Sequence, residues 1–241
     1  MKSYLTKHPK IKTLLKILLH LNLNTIRFNF YYFPFKKAML LPVYVSRRTK
    51  LYVLKGKVEI ETPLRTGMIT IGYGNVGIFD KKIHRAIWEV TGTIAFKGEA
   101  MLKFGSKITV GEKGVLTIGN KFRISTNSTI ICFRKISFGN NCRISWDVII
   151  MDTDFHYITT RDGKILNSPK EIRLGNNTWV GMRCVFSKGA ILDDNIIVAS
   201  NSLINKEIKG SFQIIGGTPA KILKEQVTWW DENEYHQKYG N

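Results

Sequence analysis

Within five consecutive residues, Asp152-Thr153-Asp154-Phe155-His156, the chain sets a histidine four and two positions after acids. An unperturbed imidazole titrates at about pH 6.5, so near neutrality it can take a proton from a hydroxyl and hand it on. A carboxylate on the second ring nitrogen would fix the tautomer and stabilise the imidazolium, a role open to Asp154 or Asp152. The oxyanion of such a reaction would need a donor, and a backbone N–H at a nearby turn would serve. The plainer reading is a surface loop histidine, with one of the acids only bonding loop backbone. The following stretch, Tyr157 to Arg173, is polar and contains Gly163 and Pro169. It reads as a loop thrown out from an ordered framework, with His156 at its mouth.

Metal chemistry finds no support in the residue types. His8, His20, His84 and His236 are scattered, and Cys132, Cys142 and Cys184 form no C-x-x-C pair. Neither a zinc site nor a disulfide framework is expected, and three unpaired cysteines suit a reducing compartment.

The framework around the loop repeats. From Leu174 an aliphatic or aromatic residue recurs every six positions: Leu174, Val180, Phe186, Leu192, Val198 and Ile204. Four residues after the first five come Thr178, Cys184, Ala190, Ile196 and Ser202, four of them small. An earlier array, Ile118, Ile124, Ile130 and Ile136, slips by two residues to Phe138 and continues through Ile144 and Ile150. A period of six fits neither a helix nor one long strand. It suits a solenoid in which each hexad supplies a short strand and a corner, three hexads closing a triangular coil with the large residue inside. Glycine and asparagine at the corners supply conformations that cost other residues most. Continuing the register from Ile150 would aim His156 into the core, so its place at the start of the loop argues that it leaves the core for a cleft.

These hexads, with Asp152–His156, Trp179-Val180-Gly181 and the closing Gly217-Thr218-Pro219-Ala220-Lys221, resemble the hexapeptide-repeat acyltransferases over roughly Gly105 to Lys224. The aromatic block Phe28 to Phe35 resembles the leader of a subgroup that acetylates bacterial cell-surface sugars. The resemblance implies an all-β fold, a left-handed parallel β-helix, a hand that spacing alone would not give. It implies an acetyl-coenzyme A-dependent O-acetyltransferase, a sugar or glycan acceptor, and a homotrimer whose grooves hold the donor. It carries donor contacts to Trp179, Gly181, Ser200, Lys206, Pro219 and Lys221, and the catalytic role to His156, with Asp154 and Asp152 beside it. Trp179 could instead be packing, Gly181 a corner and the lysines solvated surface. An acyl carrier protein as donor is a third reading.

Charge divides the chain. There are 37 Lys and Arg against 18 Asp and Glu, a net +19, yet no acid occurs before Glu59, while 13 of the bases do. Residues 1–57 read as a basic leader whose Pro9 to Leu21 stretch is an amphipathic helix on a wheel. Residues 58–218 read as the β-helix with its loop at 157–173, and 219–241 as a capping helix and tail. No apolar run of about 20 residues is present to span a membrane, and no secretory signal is evident. The expected location is cytoplasmic, with residues 9–45 either packing on their own domain or lying peripherally on an anionic inner membrane face. The alternative to an enzyme is a β-helix scaffold binding nucleic acid or anionic surfaces through the leader. Nucleic acid is disfavoured, because the charge lies outside the repeats and no recognition motif is present.

Overall fold

The computed structural model describes Leu15 and residues 17–240. Three parallel sheets run along the molecule, and within each sheet every third strand in sequence is a neighbour. The chain therefore turns through three faces per coil. The first face runs from Val43–Val45 to Gln213–Gly217, the second from Lys50–Leu54 to Leu203–Ile204, and the third from Lys57–Ile60 to Glu207–Ile208. The three-sided coil is the solenoid that the hexads lead one to expect, and its form is the left-handed parallel β-helix that the resemblance implies.

The register follows the spacing of the hydrophobic residues. Val180 pairs with Val198, Phe186 with Ile204 and Leu174 with Leu192, each 18 residues on. The slip at Phe138 lengthens the preceding coil, so Ile124 pairs with Ile144 and Ile130 with Ile150, 20 residues on. Every hexad residue from Ile118 to Ile204 faces inward, and none is more than 3% exposed. Burying one such side chain is worth about 2 kcal/mol, so the repeated stacking supplies most of the drive for the fold. The small residues four places on, Ser128, Cys142, Thr178, Cys184, Ala190 and Ser202, are buried beside the bends.

Asparagine fills the left-handed positions at the corners. Asn141, Asn177, Asn195 and Asn201 have φ between 53° and 60°, a region that Asn tolerates better than most residues. Their amides also form a ladder between coils, Asn141 donating to Asn177 at 2.8 Å and Asn177 to Asn195 at 2.9 Å.

The coils begin at Val43, ahead of the boundary expected at residue 58. Lys50–Leu54 and Ile69–Tyr73 are longer strands with register shifts, and an insertion at 74–86 separates the second coil's first two strands. Pairing persists there while the six-residue spacing is lost.

The first coil's open end is closed by helix α1, Leu23–Tyr32. Asn22 caps it, accepting from the N–H groups of Asn24 and Thr25, and Pro34 follows its end. Phe28 enters the prism and meets Trp88 edge-on at 5.1 Å. Polar residues of the same helix face stand in for a missing strand. Asn29 bonds both the carbonyl and the N–H of Val43, and Thr25 does the same for Val45. A short helix α2, Phe35–Ala38, leads into the first coil. Of the amphipathic helix expected at Pro9 to Leu21, residues 9–14 and 16 lie outside the described residues.

At the far end, Ala220–Glu225 folds back antiparallel on Gln213–Gly217 and closes the last coil. The tail then returns along the first face rather than capping the end as expected. The Trp229 indole donates to the Asn177 carbonyl at 2.9 Å and Arg143 donates to Asp231 at 2.8 Å, before helix α3, Glu232–Tyr239.

Candidate active site

The strand Ile149–Met151 ends one face, and the next face does not begin until Ile172–Leu174. Alternation continues for one residue beyond the strand. Asp152 turns inward, fully buried, and its carboxylate accepts 2.8 Å bonds from the N–H groups of Phe133, Arg134 and Lys135 at the corner of the preceding coil. It is a corner residue that touches no histidine among the described residues, so the expectation that it orients His156 does not fit its geometry.

Alternation then fails. Phe155 adopts a left-handed backbone, φ 58°, and its ring packs on Phe133 at 5.0 Å. That turn carries His156 out to solvent. A phenylalanine in this region is strained, and such strain persists only where surroundings hold it, commonly at functional sites.

The imidazole contacts backbone in place of a carboxylate: Nδ1 lies 3.3 Å from the Asp154 carbonyl oxygen. The Asp154 carboxylate is turned instead to Lys188, with which it forms an ion pair, and to the Asn167 amide at 2.8 Å. The Lys188 contact, then the Asn167 bond, hold the Asp154 carboxyl below its ordinary range. Asn167 binds the loop to itself. Its amide also donates to the His156 carbonyl at 2.8 Å, its oxygen accepts from the Ile158 N–H at 2.6 Å, and Lys188 donates to its main-chain oxygen at 3.0 Å. Beyond it, Thr159 and Ile165 form an antiparallel bridge, with Gly163 at the tip.

The residues assigned to the donor fall mostly at another corner. Gly181, Ser200 and the Gly217–Pro219 turn succeed one another over three coils. A side chain at Gly181 would bring a Cβ to 2.7 Å from the Ser200 N–H nitrogen, so glycine there admits the next coil's backbone. Ser200 and Pro219 are exposed, and the Gly217 N–H donates to Ser202 at 3.1 Å. Lys221 pairs in register with Gly216 on the return strand. Trp179 lies outward on the first face, 43% exposed, with Trp229 at 6.3 Å. Lys206 follows Leu203–Ile204, at the corner shared with Lys188 and the loop, and not with Ser200.

The two groups thus occupy opposite edges of the second face. Neither Lys206 nor Lys221 has a carboxylate partner among the described residues. No three His, Cys, Asp or Glu side chains converge among those residues. Sequence reasoning missed Asn167 and Lys188, which fix the loop; neither sits in a local motif, and only folding joins them to Asp154.

No protein-family model matches the chain. Among curated proteins it is 27% identical over 124 residues to the galactoside O-acetyltransferase of Escherichia coli K12, covering 51% of this chain and 59% of that one. It is 31% identical over 132 residues to the polysialic acid O-acetyltransferase of Neisseria meningitidis, covering 54% and 55%. The corresponding enzyme of Escherichia coli O1:K1 is 29% identical over 134 residues, covering 55% and 41%. The chain spans about half the length of these relatives. Among solved structures, a polySia-specific acetyltransferase superposes with a TM-score of 0.54 at 21% identity, covering 75% of this chain and 71% of that one. The resemblance to hexapeptide-repeat sugar O-acetyltransferases therefore extends from the motifs to sequence over half the chain, and to the fold over three quarters.

Proposed function

We propose that the protein is an O-acetyltransferase, moving acetyl from acetyl-coenzyme A to a sugar hydroxyl of a cell-surface polysaccharide or its lipid-linked precursor. The observation that carries this reading is the presentation of His156. A carbonyl oxygen only accepts, so the contact with Asp154 favours the neutral tautomer with its proton on Nδ1, in which the lone pair is on Nε2 of an exposed ring. Nε2 takes the proton of the sugar hydroxyl as its oxygen bonds to the thioester carbon. The carbon–sulfur bond breaks and the sulfur leaves as thiol, taking the proton back from the imidazolium.

For the donor, the ammonium groups of Lys206 and Lys221, without a carboxylate partner among the described residues, suit phosphate groups, Ser200 and Pro219 line an exposed corner, and the half-exposed Trp179 offers a flat apolar surface. Acyl donation in the binding groove is the chemistry that acetyl-coenzyme A supplies. Because the His156 loop and the Gly181 corner lie on opposite edges of one face, a homotrimer in which a neighbour's corner meets this chain's loop completes the site. Among the described residues no helix is long and apolar enough to cross a membrane. The proposed location is the cytoplasm, peripheral at the inner membrane face, a reading supported by the basic leader with no acid before Glu59.

Thiol release from acetyl-coenzyme A, measured with a panel of sugars and lipid-linked oligosaccharides, tests the reading. Sugar-dependent release that falls by about a hundredfold or more in His156→Ala supports it. No release with any acceptor and no coenzyme A binding overturns it in favour of a non-catalytic scaffold.

A further inference from the structure

The end of the prism closed by α1 is unlike its side walls. One face of the helix, Thr25, Phe28 and Asn29, is spent on the coil. The other presents Leu23, 84% exposed, Ile26, 40%, and Phe30, 41%, and the chain beyond adds Phe35 and Met39 at 69% and 59%. Apolar side chains this exposed on one helix face, with the Phe30 and Phe35 rings 5.8 Å apart, mark a contact surface. Around them stand Arg27, Lys36, Lys37, Arg47 and Arg48, all exposed, in a stretch that contains no acid before Glu59.

We infer that this blunt end is a docking face for an anionic lipid surface, on which the coils stand end-on. Apolar side chains inside a cationic ring suit the boundary between acyl chains and negatively charged headgroups. Charge argues against the other occupants. The two acids near this end, Glu59 and Glu61 beside Lys37, are paired with Lys57 and Lys97, so among the described residues a second copy meeting it would oppose unpaired basic groups with unpaired basic groups, and the leader carries Lys2, Lys7, Lys10, Lys12 and Lys16, of the same sign. The coil order fixes the consequence. Four strand spacings separate Val43–Val45 from Arg143–Ile144, the coil from which the His156 loop departs. At about 4.8 Å per spacing the loop stands roughly 20 Å above the first strand, and with the thickness of α1, about 10 Å, roughly 30 Å above the docking plane. Side-by-side subunits would present their ends to the same plane and bind cooperatively. This deepens the peripheral-membrane part of the reading above and does not depend on its chemistry.

The test is flotation of the full chain with vesicles of phosphatidylcholine containing phosphatidylglycerol, and of phosphatidylcholine alone. The protein floats with the anionic vesicles only, and less as salt rises. Leu23→Glu combined with Phe30→Glu lowers binding about tenfold or more, while Lys113→Glu, the remote side-wall control, leaves it unchanged. Melting temperatures confirm that each variant is folded. Cys132, Cys142 and Cys184 are buried, so in Phe30→Cys the introduced thiol alone takes up an environment-sensitive label, whose emission shifts to the blue on anionic vesicles. Failure of the full chain to float, or equal flotation of the double variant, overturns the inference. So does a thiol at position 30 already protected before vesicles are added, which would mean that the leader or another copy covers the face. Acetyl transfer to a water-soluble acceptor without vesicles is unchanged in the double variant, so docking and chemistry fail separately.

Discussion

The side-chain amide of Asn167 donates at 2.8 Å to the main-chain oxygen of His156, eleven residues before it, and from the same nitrogen at 2.8 Å to Asp154. One nitrogen therefore holds both the backbone of the candidate base and the residue whose carbonyl faces its ring. Asn167→Ala removes both bonds and the acceptor for Ile158. It lowers kcat by about ten- to a hundredfold, because misplacing a base by a fraction of an ångström weakens proton transfer steeply. The melting temperature moves little, since the bonds lie in an exposed loop. Steady-state kinetics beside a thermal melt check both halves.

The two acids of the motif separate in the same pair of measurements. Asp152→Ala removes a fully buried carboxylate that holds three backbone N–H groups of a corner, costing about 3 kcal/mol or more and roughly 6–12 °C in Tm for a chain of this size. Asp154→Ala breaks an exposed pair worth under about 1 kcal/mol, leaving Tm nearly unchanged while transfer slows. Reversed outcomes would exchange the structural and positioning roles.

Why the sequence separated these roles poorly is visible in the register. Hydrophobic spacing sets the coils because each inward residue is buried, and from Ile118 to Ile204 spacing and pairing agree. Alternation from Ile150 aims residues 152, 154 and 156 alike into the core. It holds for Asp152, which finds three donors, and fails at Phe155, where the left-handed turn rests on a contact with Phe133 from another coil. Asn167 and Lys188 are likewise joined to Asp154 only by folding. The first coil was hidden for a related reason: its edge is satisfied by Asn29 and Thr25 from a helix, which leave no six-residue trace.

The depressed carboxyl of Asp154 gives the loop a defined acid limit. With the folded value below the ordinary 3.8, the clamp's contribution is complete above that value and is lost as pH falls through the folded one. Protease cleavage at the exposed Arg161 and Lys164 therefore stays constant from about pH 8 to about pH 5 and rises below roughly pH 4. An acid-tolerant protease read by mass spectrometry measures it. In Lys188→Met, which removes the main cause of the depression, the rise begins at a higher pH.

Coenzyme A binding separates contact residues from packing residues at the other corner. Lys221→Ala removes an exposed charge that has no carboxylate partner among the described residues, so the KM for acetyl-coenzyme A rises about tenfold with Tm unchanged. Gly181→Ala places a methyl group 2.7 Å from the backbone nitrogen of Ser200, where no flexible side chain can yield. The coils must part there, at a cost of about 1–3 kcal/mol, so Tm falls even before binding is measured. Isothermal titration with coenzyme A, paired with melts of the free proteins, separates the two. If Lys221→Ala binds coenzyme A like the parent, the return strand has no part in holding the donor and the phosphate contacts pass to Lys206.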